Sequence, residues 1–226
     1  MILTQFFKAL SYIFHPIFMP ILGIYLLFSN ETTPVSYLTL DALYYFPYEV
    51  KFYLYILMTV LTVLAPLISV LILRKNNMIS SFQLESQQER TYPLVLILFY
   101  YAMVYFYVAY QFPVEYKHPA LMGFLFGNFI ALFIALIINL YYKISLHAIG
   151  IFGLVGMLIA YSQTQLNAMN QDGITNLFLI VYLIIVASLV NSARLYLKSH
   201  TLSEVLSGMA LGFFIVYSTV KFGLYI

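Results

Sequence analysis

Seven apolar runs constrain the fold of this chain more than any other feature. A membrane-spanning helix needs roughly 20 mostly apolar residues. The runs cover residues 6–28, 52–73, 93–110, 120–140, 148–161, 174–190 and 205–222. Because backbone polar groups inside a bilayer must be satisfied internally, such runs can cross it only as helices. The sequence therefore predicts an all-α, polytopic membrane helix bundle with six to seven transmembrane helices.

The composition is that of a membrane protein. Hydrophobic residues make up 63% of it and charged residues only 8%, whereas a soluble domain carries about 25% charged residues. The absence of cysteine excludes disulfides and thiol chemistry, and the net charge of +2 is too small to suggest nucleic acid. We expect one integral membrane domain over residues 1–226, with a retained N-terminal helical segment at 1–30. Pro16 and Pro20 should kink or split that segment.

Three charged stretches separate apolar runs that are far apart in the sequence. They contain Arg90, then Lys143 with His147, then Arg194 with His200. If all seven runs span the membrane, the loops after the second, fourth and sixth runs lie on one side. The topology therefore allows these residues to meet in one site at a single membrane face.

The residue types in these stretches suit the binding and cleavage of a phosphate ester. Arginine fits phosphate oxygens with two parallel hydrogen bonds. A histidine can act as nucleophile or as general acid near neutral pH. A carboxylate can fix the tautomer of a nucleophilic histidine, and Glu204 lies four residues after His200, within reach on a helix.

The same residues carry a resemblance to a known family. The spacing Arg194-x5-His200-x3-Glu204 resembles the third motif of the type 2 phosphatidic acid phosphatase (PAP2) superfamily, S-R-x5-H-x3-D. The stretch KISLH at 143–147 resembles the second motif, P-S-G-H, and ERTYP at 89–93 resembles the end of the first, K-x6-R-P. The resemblance extends over roughly residues 83–212, within a PAP2-like core that we place at roughly 52–222.

The resemblance implies a role for each matching residue. His200 would form a phosphohistidine, His147 would protonate the leaving alcohol, and Glu204 would orient His200. Four residues would bind the phosphate: Arg194, Arg90, Ser145 and, as a further cation, Lys143. The family needs no metal or other cofactor, and its substrates are commonly lipid phosphates or diphosphates.

The chain departs from the family pattern at several positions. Glu204 replaces an aspartate, Leu146 replaces the glycine of the second motif, and Ile144 replaces its proline. Gln83 stands where the first motif has lysine. These departures leave three functions open: a lipid-phosphate phosphatase, an enzyme that transfers the phosphoryl group to another acceptor, and a catalytically inactive lipid-phosphate binder.

A small transporter is a further alternative. Transporters place charged residues deep inside their spans or break paired helices, whereas the charges of this chain lie at the ends of the apolar runs. We therefore favour a multi-pass phosphatase of a bacterial inner membrane whose substrate is a phospholipid or isoprenoid phosphate. The distribution of lysine and arginine selects no membrane face for the site.

Some of these residues also have simpler interpretations. Thr201 and Glu204 fit a helix capping box, which is compatible with a catalytic role. Arg90 could pair with a neighbouring glutamate, and Lys198 suits an interfacial anchor. Two histidines outside the motifs, His15 and His118, are expected to be structural.

Overall fold

The computed structural model of the chain describes residues 2–30, 43–80, 87–165 and 172–225. Those residues form helices joined by turns, with no strand among them. The α-helices are α1 (Ile2–Ile13), α2 (Met19–Ser29), α3 (Tyr48–Met58), α4 (Ala65–Lys75), α5 (Gln87–Gln111), α6 (Pro119–Asn139), α7 (Leu146–Gln165), α8 (Asp172–Tyr196) and α9 (Leu202–Phe222). A π-helical segment, Thr59–Leu64, joins α3 to α4.

Seven helical stretches in the described part of the chain are long and apolar enough to cross a membrane. They coincide with the seven predicted runs, with α1 and α2 sharing the first and α3 and α4 sharing the second. The prediction of an all-α, polytopic membrane bundle is therefore confirmed.

Two predicted boundaries are wrong. The third span does not start at Pro93, because α5 begins at Gln87 and holds Pro93 in its interior. The sixth span extends past residue 190, so that Arg194 lies in the last turn of α8 rather than in a loop. Both errors arise because polar helix ends extend beyond the apolar run that reveals the span.

The first span is split where the prolines predicted a disruption. α1 ends at Ile13, a 3-10 turn covers Pro16–Phe18, and α2 begins at Met19. The side chain of His15 caps the turn by accepting a hydrogen bond from the backbone N–H of Ile17. A proline cannot donate the hydrogen bond that a continuous helix would need at this point.

The core of the bundle is the contact between α7 and α9. α7 is the most buried of the candidate spans. A Cβ atom added at Gly212 of α9 would collide with the backbone carbonyl of Ile149 in α7, and one added at Gly156 would lie 2.6 Å from the carbonyl oxygen of Phe213. Small residues of this kind let two helices approach closely in a membrane.

We predict that Gly212→Ala destabilises the bundle by about 1–3 kcal/mol, the typical cost of overpacking. The added methyl group meets backbone, which cannot move without separating the two helices. The measurement is the midpoint of unfolding in a denaturing-detergent titration.

Gly153→Ala is the matched control on the facing helix. Its new methyl group would have as nearest neighbour a side-chain carbon of Val216, 3.3 Å away, and alanine favours a helix over glycine by about 0.5–1 kcal/mol. Equal midpoints for the two variants would contradict this account of the interface.

Candidate functional site

A cavity of about 470 Å³ lies between the helices of the bundle. One part of its lining is polar and includes His15, Arg90, His147, Arg194 and His200. The remaining walls are mainly apolar, and include Leu94, Ile97, Leu132 and Val216 together with Tyr101 and Asn128. The cavity therefore combines a charged region with an apolar region.

The polar lining comes from helix ends that are distant in the sequence. Arg90 lies near the start of α5, His147 near the start of α7, and Arg194 in the last turn of α8. His200 lies in the short connection from α8 to α9. Four of the seven residues predicted to form a site thus line one cavity.

His200 is held by Glu204 across one turn of α9. The Nδ1 atom of His200 lies 2.6 Å from Oε2 of Glu204, and only 2% of the His200 side chain is exposed. Because a carboxylate oxygen accepts hydrogen bonds, Nδ1 of the neutral ring carries the proton and Nε2 keeps its lone pair. Nε2 is the nitrogen that can attack an electrophile.

Glu204 also caps the helix that carries it. Thr201 and Glu204 form a capping box in which each side chain bonds the backbone of the other residue. The capping interpretation and the contact with His200 are therefore both correct. The box fixes the first turn of α9, which begins directly after His200 and Thr201, and so helps to hold His200 at the cavity.

The surroundings of His200 keep its imidazole neutral. Burial lowers the pKa of His200 to about 4, and the positive charges of Arg90 and Arg194 act in the same direction. The hydrogen bond and charge of Glu204 oppose this shift without cancelling it. At neutral pH the ring is therefore available as a nucleophile.

The guanidinium of Arg194 can donate a hydrogen bond to a ligand in the cavity. Its Nε atom is buried and has no hydrogen-bond partner among the residues that the structure describes, and a buried donor without a partner costs about 1–3 kcal/mol. Arg90 lines the same cavity with only 9% of its surface exposed. An anion between the two arginines would relieve both the missing hydrogen bond and the repulsion between like charges.

Whereas His200 is held at Nδ1, His147 is held by a hydrogen bond at Nε2. Its Nε2 atom lies 3.1 Å from the backbone carbonyl oxygen of Ser11 in α1. A carbonyl oxygen only accepts, so Nε2 carries the proton and Nδ1 of the neutral ring is the free acceptor. The two predicted catalytic histidines thus hold different tautomers.

Lys143, Ser145 and Glu204 do not line the cavity, although each makes a hydrogen bond with a cavity residue or with the neighbour of one. Nζ of Lys143 donates to the carbonyl of Ser199 at 3.1 Å, next to His200. The backbone N–H of Ser145 donates to the carbonyl of Glu204 at 3.2 Å.

Ser145 also accepts a hydrogen bond at its Oγ from the N–H of Ala148 at 3.4 Å. That bond is local to the start of α7, whereas the bond from Ser145 to Glu204 joins the start of α7 to the start of α9. The roles of Lys143 and Ser145 in phosphate binding stay predictions, whereas their contacts build the backbone of the site.

His15 is a cavity residue that sequence reasoning missed. It was expected to be structural, but it lines the cavity, and its ring centroid lies 5.4 Å from that of His147. The available signal was a His-Pro pair inside an apolar run. The same pair recurs at His118–Pro119, where the histidine only caps α6, so the pattern alone does not distinguish the two.

Comparison with known proteins agrees with the motif resemblance. The sequence model of the PAP2 superfamily matches residues 139–225, which contain the second and third motifs and the helices α7, α8 and α9. Arg90 and the first motif lie outside the matched range. No curated protein and no solved structure matches the chain.

We predict that the ring of His200 titrates near pH 4, well below the ordinary histidine value of about 6.5. Arg194→Gln should move the titration to higher pH, because it removes a positive charge that disfavours the imidazolium. Glu204→Gln should move it to lower pH, because it removes the charge that favours the imidazolium. The measurement is a pH titration of ¹⁵N-labelled histidine by NMR, with His200→Asn identifying the resonance. A titration near pH 6.5 in the unaltered protein would contradict this description of the site.

Proposed function

We propose that this chain, which resembles the PAP2 superfamily and is matched by its model over residues 139–225, is a membrane phosphatase for lipid phosphates or diphosphates. The proposed reaction passes through a phosphohistidine on His200 and uses side chains in place of a metal ion. One observation carries the proposal: both proposed catalytic histidines, His147 and His200, line the polar part of a single cavity together with two arginines.

Binding is the first step that these residues support. The phosphate of the substrate lies between Arg90 and Arg194, where it neutralises both charges and fills the missing hydrogen bond at Nε of Arg194. Arginine is well suited to this role because its planar guanidinium matches two phosphate oxygens at once.

The chemistry then uses the lone pair on Nε2 of His200. Nε2 attacks phosphorus, the bond from phosphorus to the ester oxygen breaks, and His147, which takes up a second proton at Nδ1 when the anionic substrate binds, gives that proton to the departing oxygen. Glu204 stabilises the positive charge that develops on the ring of His200, as the carboxylate does in hydrolase triads. Water next attacks the phosphohistidine, gives its proton to His147, and releases inorganic phosphate.

The apolar part of the cavity supports a lipid substrate. The lining of Leu94, Ile97 and Leu132 offers an apolar wall beside the arginines and histidines. Sites of this kind bury the apolar part of a ligand and orient it with a few polar groups. A phospholipid or an isoprenoid phosphate has the matching division between an anionic head and an apolar tail.

A catalytically inactive lipid-phosphate binder is the second candidate. Leu146 stands where the family's second motif has glycine, and it lines the cavity. Its side chain occupies space beside His147 that a glycine would leave open. Binding of phosphatidate without phosphate release would favour this candidate.

We predict that His200→Ala abolishes release of inorganic phosphate from phosphatidate and from polyprenyl diphosphate. Arg194→Ala should lower kcat/KM by about 100-fold or more, since one good charge-assisted contact in a transition state contributes about 10²–10³-fold. The measurement is phosphate release by the purified protein in detergent micelles. Full activity of His200→Ala would overturn the mechanism.

Lys198→Asn is the matched control for the arginine variant. Lys198 is an exposed cation four residues after Arg194, and its backbone has a positive φ of 51°. Asparagine tolerates that conformation better than alanine. This variant removes a charge near the site without straining the turn, and it should keep the activity of the unaltered protein.

A further inference from the structure

The N-terminal segment contributes one wall of the cavity, although it lies outside the range that the family model matches. Residues Tyr12, His15, Pro16, Ile17, Phe18 and Met19 all line the cavity. The mechanism proposed above uses none of them. The N-terminal segment nevertheless makes two contacts with His147, the proposed general acid.

The first contact is the hydrogen bond from Nε2 of His147 to the carbonyl of Ser11, 3.1 Å long. The second is the ring of His15, which lies nearly perpendicular to that of His147, with centroids 5.4 Å apart and an angle of 80° between the planes. His200 has a carboxylate that fixes its tautomer. For His147 the corresponding partner is a backbone carbonyl of α1.

The segment that makes these contacts is anchored on both sides of His15. Before it, the ring of Phe7 packs against Tyr196 at the end of α8, with centroids 4.8 Å apart. After it, a Cβ added to Gly150 would lie 2.8 Å from the side chain of Met19. Gly150 lies three residues after His147, on the same face of α7, so the anchored turn sits directly beside the histidine.

The hydrogen bonds determine which nitrogens carry protons. The Nδ1 atom of His15 accepts the N–H of Ile17, so a neutral His15 carries its proton on Nε2. The Nε2 proton of His147 is committed to Ser11. To act as a general acid, His147 must therefore first take up a second proton at Nδ1, and this is the proton that it gives to the leaving group.

We propose that Ser11 and His15 are positioning residues for His147: the Ser11 carbonyl fixes the proton on Nε2, and the His15 ring holds the imidazole so that Nδ1 handles the proton of the leaving alcohol. This inference rests on the proposed phosphatase function. It makes the N-terminal segment part of the acid–base apparatus.

The leaving group of the substrate tests this role directly. An alkyl phosphate has a poor leaving group that needs a proton, whereas p-nitrophenyl phosphate releases a stabilised phenolate that does not. We predict that His15→Asn lowers kcat for dioleoylphosphatidate by about tenfold or more, a loss like that seen when the outer hydrogen-bond partner of a metal-bound histidine is removed. We expect kcat for p-nitrophenyl phosphate to change by less than about threefold, because that reaction makes little use of general acid catalysis.

His118→Asn is the matched control. Both histidines precede a proline, and both cap a helical turn by accepting a backbone N–H at Nδ1, a role that asparagine can also fill. His118 packs beside Tyr161 and does not line the cavity. We expect His118→Asn to keep both activities, and the thermal unfolding midpoints of the two variants to agree.

The outcomes separate this inference from the function on which it rests. If His147→Ala loses activity selectively on phosphatidate and His15→Asn does not, the positioning role is wrong and the phosphatase mechanism stands. If His147→Ala affects both substrates equally, the assignment of His147 as general acid is itself wrong. If His15→Asn lost activity equally on both substrates and had a lower thermal unfolding midpoint, His15 would have a structural role only, and the positioning role would be wrong.

The ¹⁵N NMR spectrum of the histidine rings tests the proposal independently of the kinetics. The chain has four histidines, so single variants can assign every ring. His147 should give the signals of an Nε2–H tautomer and lose that preference in His15→Asn. An unchanged tautomer together with unchanged kinetics would overturn the proposal.

Discussion

The close contact between α7 and α9 is the constraint on which the candidate site depends. Glycines let the two backbones approach until a methyl group at Gly212 would collide with the Ile149 carbonyl. At the polar end of the same contact, the N–H of Ser145 donates to the carbonyl of Glu204. The loop before α7 and the first turn of α9 are thereby fixed to each other, and His147 and His200 come to line one cavity. A wider helix spacing would separate the two rings.

The charges around the cavity explain why an anion belongs there. Arg90 and Arg194 line one cavity whose remaining walls are mainly apolar, and like charges repel strongly in such surroundings. The same charges and burial keep His200 neutral, with its pKa lowered to about 4. A phosphate dianion would offset both arginines and lie beside the free nitrogen of His200. The burial of the site and its two like charges therefore favour the binding of a lipid phosphate.

The sequence predicted the parts of this arrangement that follow from periodicity. The spacing of four residues placed Glu204 against His200, and the alternation of loops brought Arg90, His147 and Arg194 to one cavity. The sequence pattern did not predict the contacts between segments that are far apart in the chain. Lys143 donates a hydrogen bond to Ser199 in the connection between α8 and α9, and Ser145 donates one to Glu204 in α9. Both bonds depend on how α7 packs. The contact of the N-terminal segment with His147 depends on where a broken helix docks, and a His-Pro pair does not encode that position.

The most direct measurement is the identification of the residue that carries the phosphoryl group during turnover. The protein would be mixed with ³²P-labelled phosphatidate, quenched in alkaline denaturant, in which phosphohistidine survives, and digested for mass spectrometry. We predict a base-stable, acid-labile phosphoryl group on His200 and none on His147 or His15. Phosphate release with no phosphoryl-protein intermediate, or with the label on another residue, would contradict a nucleophilic His200.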